Sequence, residues 1–340
     1  MPKDKSSKAK KFMVRDHNLM RLLIFFVIVF AVFSFLRPKI FLQGQNILNM
    51  AGQLPILGLL AMGVALALIT GGIDLSGVNI ANLSGILSGM FMVHMMEANP
   101  GFPPALLILI AVIISLAVGF ILGAFNGFLI SVIGIPPILA TLGTSQLYMG
   151  IAIVMTNGKA VSGWPSAFDG FFNASVFGVI PVSLIIFIVV ALLLALLLNK
   201  MRYGRRLYLL GTNMVASKYA GIKIHNMLIR TYAIAGVLAA IAGLLVMASA
   251  NSAKADYGIT YTMQAILVAV LGGVSPNGGT GKVSGIVTSV VILQVLSSGL
   301  NLFEQVSNFY RDLIWGLVLI LVLIFNYYVD RASLKRQASK

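Results

Sequence analysis

The sequence predicts an all-α, polytopic membrane protein of about ten transmembrane helices, some broken or re-entrant, with N and C termini both cytoplasmic. Three observations carry that expectation. Of 340 residues, 59% are hydrophobic and 10% charged, whereas about a quarter of an average soluble protein is charged. Apolar runs close to the ~20 residues that cross a ~30 Å hydrocarbon core recur along the chain. The formal charge of +15 is concentrated: 18 of the 24 lysines and arginines fall in 1–21, 200–230 and 331–340, and such loops stay on the cytoplasmic side. In a soluble protein that charge would suggest nucleic acid; here it reads as topology, and no nucleic-acid partner is expected.

Taken in order, the apolar segments lie near 19–36, 47–70, 78–97, 104–133, 137–156, 178–199, 229–250, 262–275, 283–303 and 309–329. The first follows a basic stretch as a secretory signal would, but no small-residue cleavage site follows it, so an uncleaved first helix is expected. Six spans before residue 200 return the chain to its starting side, which agrees with the charge pattern. The expected division is a basic cytoplasmic tail at 1–21, a transmembrane domain at 22–330 with a cytoplasmic loop at 200–228, and a second basic tail at 331–340. Segments 71–97, 137–156 and 262–285 contain Gly, Pro and polar residues and are expected to be interrupted. Backbone freed at membrane depth must face protein or a hydrated cavity, so these segments point to the pathway. Small residues at helix-contact spacing (Ala81, Gly85, Gly89; Gly119, Gly123, Gly127; Ala235, Ala239, Gly243) predict close helix packing. Gly71-Gly72-Ile73 before Leu83-Ser84-Gly85-Ile86 is echoed by Gly272-Gly273-Val274 before Val283-Ser284-Gly285-Ile286, a short pointer to where a pathway would run.

The absence of cysteine excludes disulfides, thiolate catalysis and cysteine-ligated metal. Asp74, in Gly71-Gly72-Ile73-Asp74-Leu75-Ser76, is costly at membrane depth, by about 2.5–3.5 kcal/mol at a helix centre. It is read chiefly as a cap, with Ser76, of the helix opening at Val78; solute contact and proton or cation coupling are the other roles open to it. Asn79 and Asn82 follow on that helix. In Gly134 to Gln146, two prolines break the helix. Thr141, Thr144, Ser145 and Gln146 then offer neutral hydrogen-bonding groups that suit a polyhydroxylated solute better than an ion, unless they bond back to their own helix or a neighbour. With Asn126, the expected lining is Asp74, Asn79, Asn82, Asn126, Thr141, Thr144 and Gln146.

In the basic loop, Thr212 or Asn213 is placed to cap a short helix, Val215, Ala216 and Tyr219 form one apolar face, and Gly221 supplies the stop. That helix would either dock in a partner's groove or lie on the membrane surface. The loop Gly272 to Lys282 fails the phosphate-loop pattern, because Pro276 stands at the first Gly and Val283 follows Lys282. His94 and Glu97 lie three apart on one face without a second pair, so no metal is expected. No nucleophile and histidine are arranged for hydrolysis, which counts against an intramembrane enzyme. An ion-coupled secondary transporter would be expected to carry several intramembrane acids, and apart from Asp74 the spans are nearly free of them.

Taken together, Gly71 to Ser76, Ala140-Thr141-Leu142-Gly143 within Pro137 to Gly143, Thr156-Asn157-Gly158, Asn213 to Ile222, and Val270 to Gly273 with Gly278-Gly279 resemble the permease subunit of the ribose, galactose and xylose type of ABC importer, over about 45–330. Gly211-Thr212-Asn213 departs from the family's usual Gly-Gly-Asn, and Gly77-Val78-Asn79 from its commoner Val-Gly after the Ser. The resemblance implies a bacterial inner-membrane permease, a second permease copy or related chain, a cytoplasmic ATPase subunit and an extracytoplasmic solute-binding protein. It implies no enzyme and no cofactor in this chain, ATP being used by the partner. It also makes Asn213, Val215, Ala216, Tyr219, Gly221 and Ile222 the ATPase-coupling residues. The expected cargo is a monosaccharide or sugar-like neutral solute, with a nucleoside or autoinducer-like solute as the alternative.

Overall fold

The computed structural model describes residues 17–303 and the single positions 313, 316, 317, 320 and 324. Among them, eight helices are long and apolar enough to cross a membrane. These are α1 (His17–Leu36), α3 (Gly44–Ile69), α4 (Gly77–Ala98), α5 (Pro104–Phe128, running on as a π-turn over Leu129–Ile133), α6 (Pro137–Thr156), α8 (Val182–Asn199), α11 (Ile224–Ala250) and α13 (Val283–Asn301). Short elements join them: α2 (Pro38–Phe41), α7 (Ser166–Phe172), the antiparallel hairpin β1 (Ser175–Val176) and β2 (Ile180–Pro181), α9 (Arg202–Thr212), α10 (Met214–Tyr219) and α12 (Tyr261–Leu271).

Two expectations on the spans change. The segment expected at 262–275 is helical for only the 11 residues of α12, about 16 Å at 1.5 Å per residue and half a bilayer; the chain reaches its start through the non-helical stretch 251–260. The segment at 137–156 is not interrupted. Pro137 occupies the first position of a continuous 20-residue helix, where its missing N–H leaves no bond unmade. The break lies before it, at Gly134, whose φ of 85° ends the π-turn. The other breaks fall at 70–76, before α4, and at 272–282, between α12 and α13. The segment expected at 309–329 and the tail 331–340 lie outside the described residues apart from those single positions, as do residues 1–16.

Helices α3 and α11 are the buried centre, with 89% and 67% of their apolar windows inside the bundle, while α1, α5, α6 and α8 are 17–28% buried and form its rim. The small-residue stripe on α5 explains how α11 reaches that centre. A Cβ at Gly123 would strike the Tyr232 carbonyl, and one at Gly119 the Gly236 carbonyl. The two backbones therefore approach as close as helices can, and the contact is van der Waals in kind, as in membrane interiors generally.

All three breaks gather at the end of the bundle that carries the basic loop. Schellman-type turns close α3 and α12 alike: Gly72 N–H donates to Ala67 O and Val274 N–H to Ala269 O, with Gly71 and Gly273 both at φ 84°, a left-handed conformation that glycine adopts without strain. The sequence echo is thus two equivalent helix ends. They touch through Gly279, whose N–H donates to Ile69 O at 3.0 Å.

Candidate functional site

The segment between α3 and α4 is held from three sides. Asp74 Oδ1 accepts the Ser76 N–H at 2.9 Å and the Ser76 hydroxyl at 2.6 Å. Asn126 Nδ2 on α5 donates to Ser76 Oγ at 2.7 Å, and Tyr148 OH on α6 donates to Leu122 O at 2.9 Å and lies 3.2 Å from Asn126 Oδ1. Thr141 Oγ1 lies 3.0 Å from Ile73 O and 2.9 Å from Pro137 O, and Ser145 Oγ donates to Leu75 O at 3.2 Å. One connected buried network, Tyr148–Asn126–Ser76–Asp74, therefore ties α6, α5 and the start of α4 together. Asp74 itself is 3% exposed. The cavity beside it, between Gly63, Val64, Ala235 and Ala239, is about 10 Å³, room for about one water and not for a sugar.

The other expected lining residues divide by position. Thr141 and Thr144 are buried on the inner face of α6, and Thr144 Oγ1 donates to Thr141 O, one turn back, at 3.3 Å. Asn79 reaches α6, its Nδ2 donating to Ser145 Oγ at 2.7 Å. Asn82 reaches a different part of the chain, donating to Ala255 O at 3.0 Å and Tyr257 O at 2.8 Å. Gln146 stands apart, exposed on the outer face of α6. Tyr148 was not singled out from the sequence, although it lies seven residues after Thr141 and so on the same helical face. Nor was Tyr232, whose hydroxyl fills the space a Cβ at Gly72 would need.

At the basic end, residues 202–212 form a helix where the sequence reading placed loop. Amphipathic α9 buries Leu207 and Leu210 and sends Tyr208 OH to Gly281 O at 2.8 Å. Tyr203 OH meets Thr231 Oγ1 at 2.7 Å, and burial pushes that phenol up to about 12, so it stays neutral. Asn213 caps α10, its Oδ1 accepting from Ala216 N–H at 2.9 Å, and Gly221 at φ 77° turns the chain out of it. Val215 is 66% and Tyr219 88% exposed, with Ala216 exposed beside them, while Ser217 faces inward. A Cβ at Gly211 would strike Ile69 O, and one at Gly279 would come 2.5 Å from Thr212 Oγ1. The exposed helix α10 is thus one residue from a junction at which α9, the end of α3 and the loop 272–282 meet backbone to backbone.

Comparison with known proteins gives this arrangement its place. Residues 46–323 match the family described as "Branched-chain amino acid transport system / permease component". The ribose import permease of Bacillus subtilis (strain 168) is 36% identical over 304 residues, 88% of this chain and 90% of that one. The chain belongs to this family of ABC-transporter permeases. The D-allose transport system permease of Escherichia coli (strain K12) is 34% identical, covering 89% of this chain and 90% of the relative. An autoinducer 2 import system permease of Enterobacter sp. (strain 638) is 32% identical over the same shares. A solved structure described as an inward-facing metal-chelate type ABC transporter superposes with a TM-score of 0.50 at 15% identity, covering 92% of this chain and 98% of that one, which shows a shared fold. The permease is a multi-pass protein of the bacterial inner membrane.

Proposed function

We propose that this permease moves a monosaccharide or sugar-like neutral solute inward by alternating access, driven by a separate cytoplasmic ATPase and supplied by an extracytoplasmic binding protein. The basic end is cytoplasmic, following the positive charges. The observation that carries the reading is the junction Gly211–Thr212, Gly278–Gly279 and Ile69–Gly71. It joins the exposed face of α10 to the segment holding Asp74 with no flexible side chain between them, so displacement of α10 by a closing ATPase would be transmitted as backbone movement. Asn213, Val215, Ala216, Tyr219, Gly221 and Ile222 form the docking surface. A second copy of the chain completes the route, which in the single chain has no sugar-sized space beside Asp74.

The polar groups at the break are neutral apart from Asp74, which suits a polyol rather than an ion; the ribose and allose relatives favour a monosaccharide, and the autoinducer 2 relative keeps that class of solute as the second reading. The test is reconstitution with the ATPase and binding protein and uptake of a panel of labelled pentoses, hexoses, nucleosides and autoinducer 2. Uptake of one sugar, dependent on ATP on the cytoplasmic side, is expected. Uptake of a nucleoside or autoinducer alone would select the alternative solute, and uptake without ATP would refute the reading.

A further inference from the structure

Charge is scarce in this chain, yet the non-helical stretch 251–260 carries two charged residues at a depth where charge is costly. The depth follows from Asn82, the sixth residue of α4, which holds the carbonyls of Ala255 and Tyr257. From Asn82, α4 runs on to Ala98, about 24 Å towards the external end at 1.5 Å per residue. The chain leaving α11 at Ala250 therefore turns back into the bundle before α12 carries it to the basic end. A second tie fixes its upper part: Val161 and Ala253 exchange both backbone hydrogen bonds, at 2.9 and 2.8 Å.

Within this stretch burial alternates as in a strand. Ala253 and Ala255 are 5% and 3% exposed, facing the bundle, so Lys254 and Asp256 face away from it. Their side chains pair at 2.9 Å and are 38% and 46% exposed. Two charged groups at this depth are not turned to lipid; intramembrane charges face a bundle interior or a water-filled cavity. The surface beside α12 on which they stand is therefore the wall of a hydrated space.

We propose that Lys254 and Asp256 form a solute-recognition site on the translocation route, at the level of Asn82, taking the hydroxyl groups of a neutral polyol. The inference rests on the permease reading above. A carboxylate accepts and an ammonium donates, so a fixed pair matches a hydroxyl-rich molecule, whose groups do both. An ionic solute would be drawn to one member and repelled by the other. The pair satisfies itself when the route is empty, and the two backbone ties hold it in place.

The chain has no cysteine, so a single introduced thiol is the only one in the permease, and labelling is read on the permease band. In the reconstituted importer, Lys254→Cys and Asp256→Cys are treated from the external side with the water-soluble cation 2-(trimethylammonio)ethyl methanethiosulfonate. Leu192→Cys, at a 60% exposed position in the apolar run of α8, is the lipid-facing comparison. Labelling at 254 and 256 but not at 192 is expected; no labelling at 254 and 256 overturns a hydrated location. Asp256→Asn and Lys254→Gln are then assayed for uptake of D-ribose and D-allose, with co-purification of the ATPase subunit as the check on assembly. Loss of a hydrogen bond to a charged group is expected to lower the maximal rate by about tenfold, while the half-saturating concentration stays where the binding protein sets it. Rates within twofold of the unmodified importer in both variants, or full recovery in the swapped variant Lys254→Asp/Asp256→Lys, would show a structural pair and overturn the recognition role. Failure of the unmodified importer to take up any sugar of the panel above refutes the sugar reading on which the inference rests, and the inference with it.

Discussion

Asp74 finds its two donors in Ser76, and Ser76 is in turn held by Asn126 from another helix. The carboxylate thus organises the turn into α4 through the Ser76 N–H, not by capping the later free N–H groups of that helix. Asn at this position keeps the accepting oxygen, whereas Leu leaves two buried donors without it, at about 1–3 kcal/mol each. Asp74→Asn is therefore expected to keep most transport, and Asp74→Leu to lower the amount of folded protein, read by size-exclusion in detergent. Complete loss of transport by well-folded Asp74→Asn would assign Asp74 a direct role with solute or ion. Asn126 bridges Tyr148 and Ser76 with no exposure of its own. Asn126→Leu is expected to destabilise the protein by about 1–3 kcal/mol, for the buried partners it leaves unmatched, measured as a lower midpoint of thermal unfolding.

Between helices, the tightest constraints are backbone contacts. Gly123 on α5 faces the Tyr232 carbonyl of α11, so Gly123→Leu is expected to separate the two helices and abolish a monodisperse product. At α10 the expectation is opposite in kind. Ala216 is exposed on α10, and Ala216→Trp is expected to leave membrane insertion intact while abolishing ATPase co-purification and transport; normal transport would contradict the docking role. Most long helices were legible in the sequence because length and apolarity alone specify them, and Asn213 and Gly221 were legible as the ends of α10 because capping and left-handed turns select particular residues. Helix α9 was hidden by its charge, although Tyr203, Leu207 and Leu210 repeat at helical spacing. The stretch 251–260 was not legible: short, with Lys254, Asp256 and Gly258, it has the composition of an external loop, and only the reach of Asn82 shows it inside the bundle. The partners of Asn82 and Asn126 were hidden for the same reason, since their hydrogen bonds span 173 and 50 residues of sequence.

Across the whole molecule, the breaks at 70–76 and 272–282 and the turn before α10 meet at one end, and the re-entrant charged stretch descends from the other. The proposed alternating access calls for such an arrangement: a rigid link to the ATPase on one face and a hydrated approach on the other. The charge pattern fits it, since basic residues of 200–230 lie within α10 and on both sides of it in sequence, and among the described residues Asp74 is the one buried acid. The measurement that tests this most directly is solute uptake into proteoliposomes containing the permease, with and without the ATPase subunit, the binding protein and enclosed or external ATP. Uptake is expected only when the ATPase is on the face carrying α10, ATP is on that same side and the binding protein is on the other. Uptake that persists without the ATPase and follows an imposed ion gradient would contradict the account.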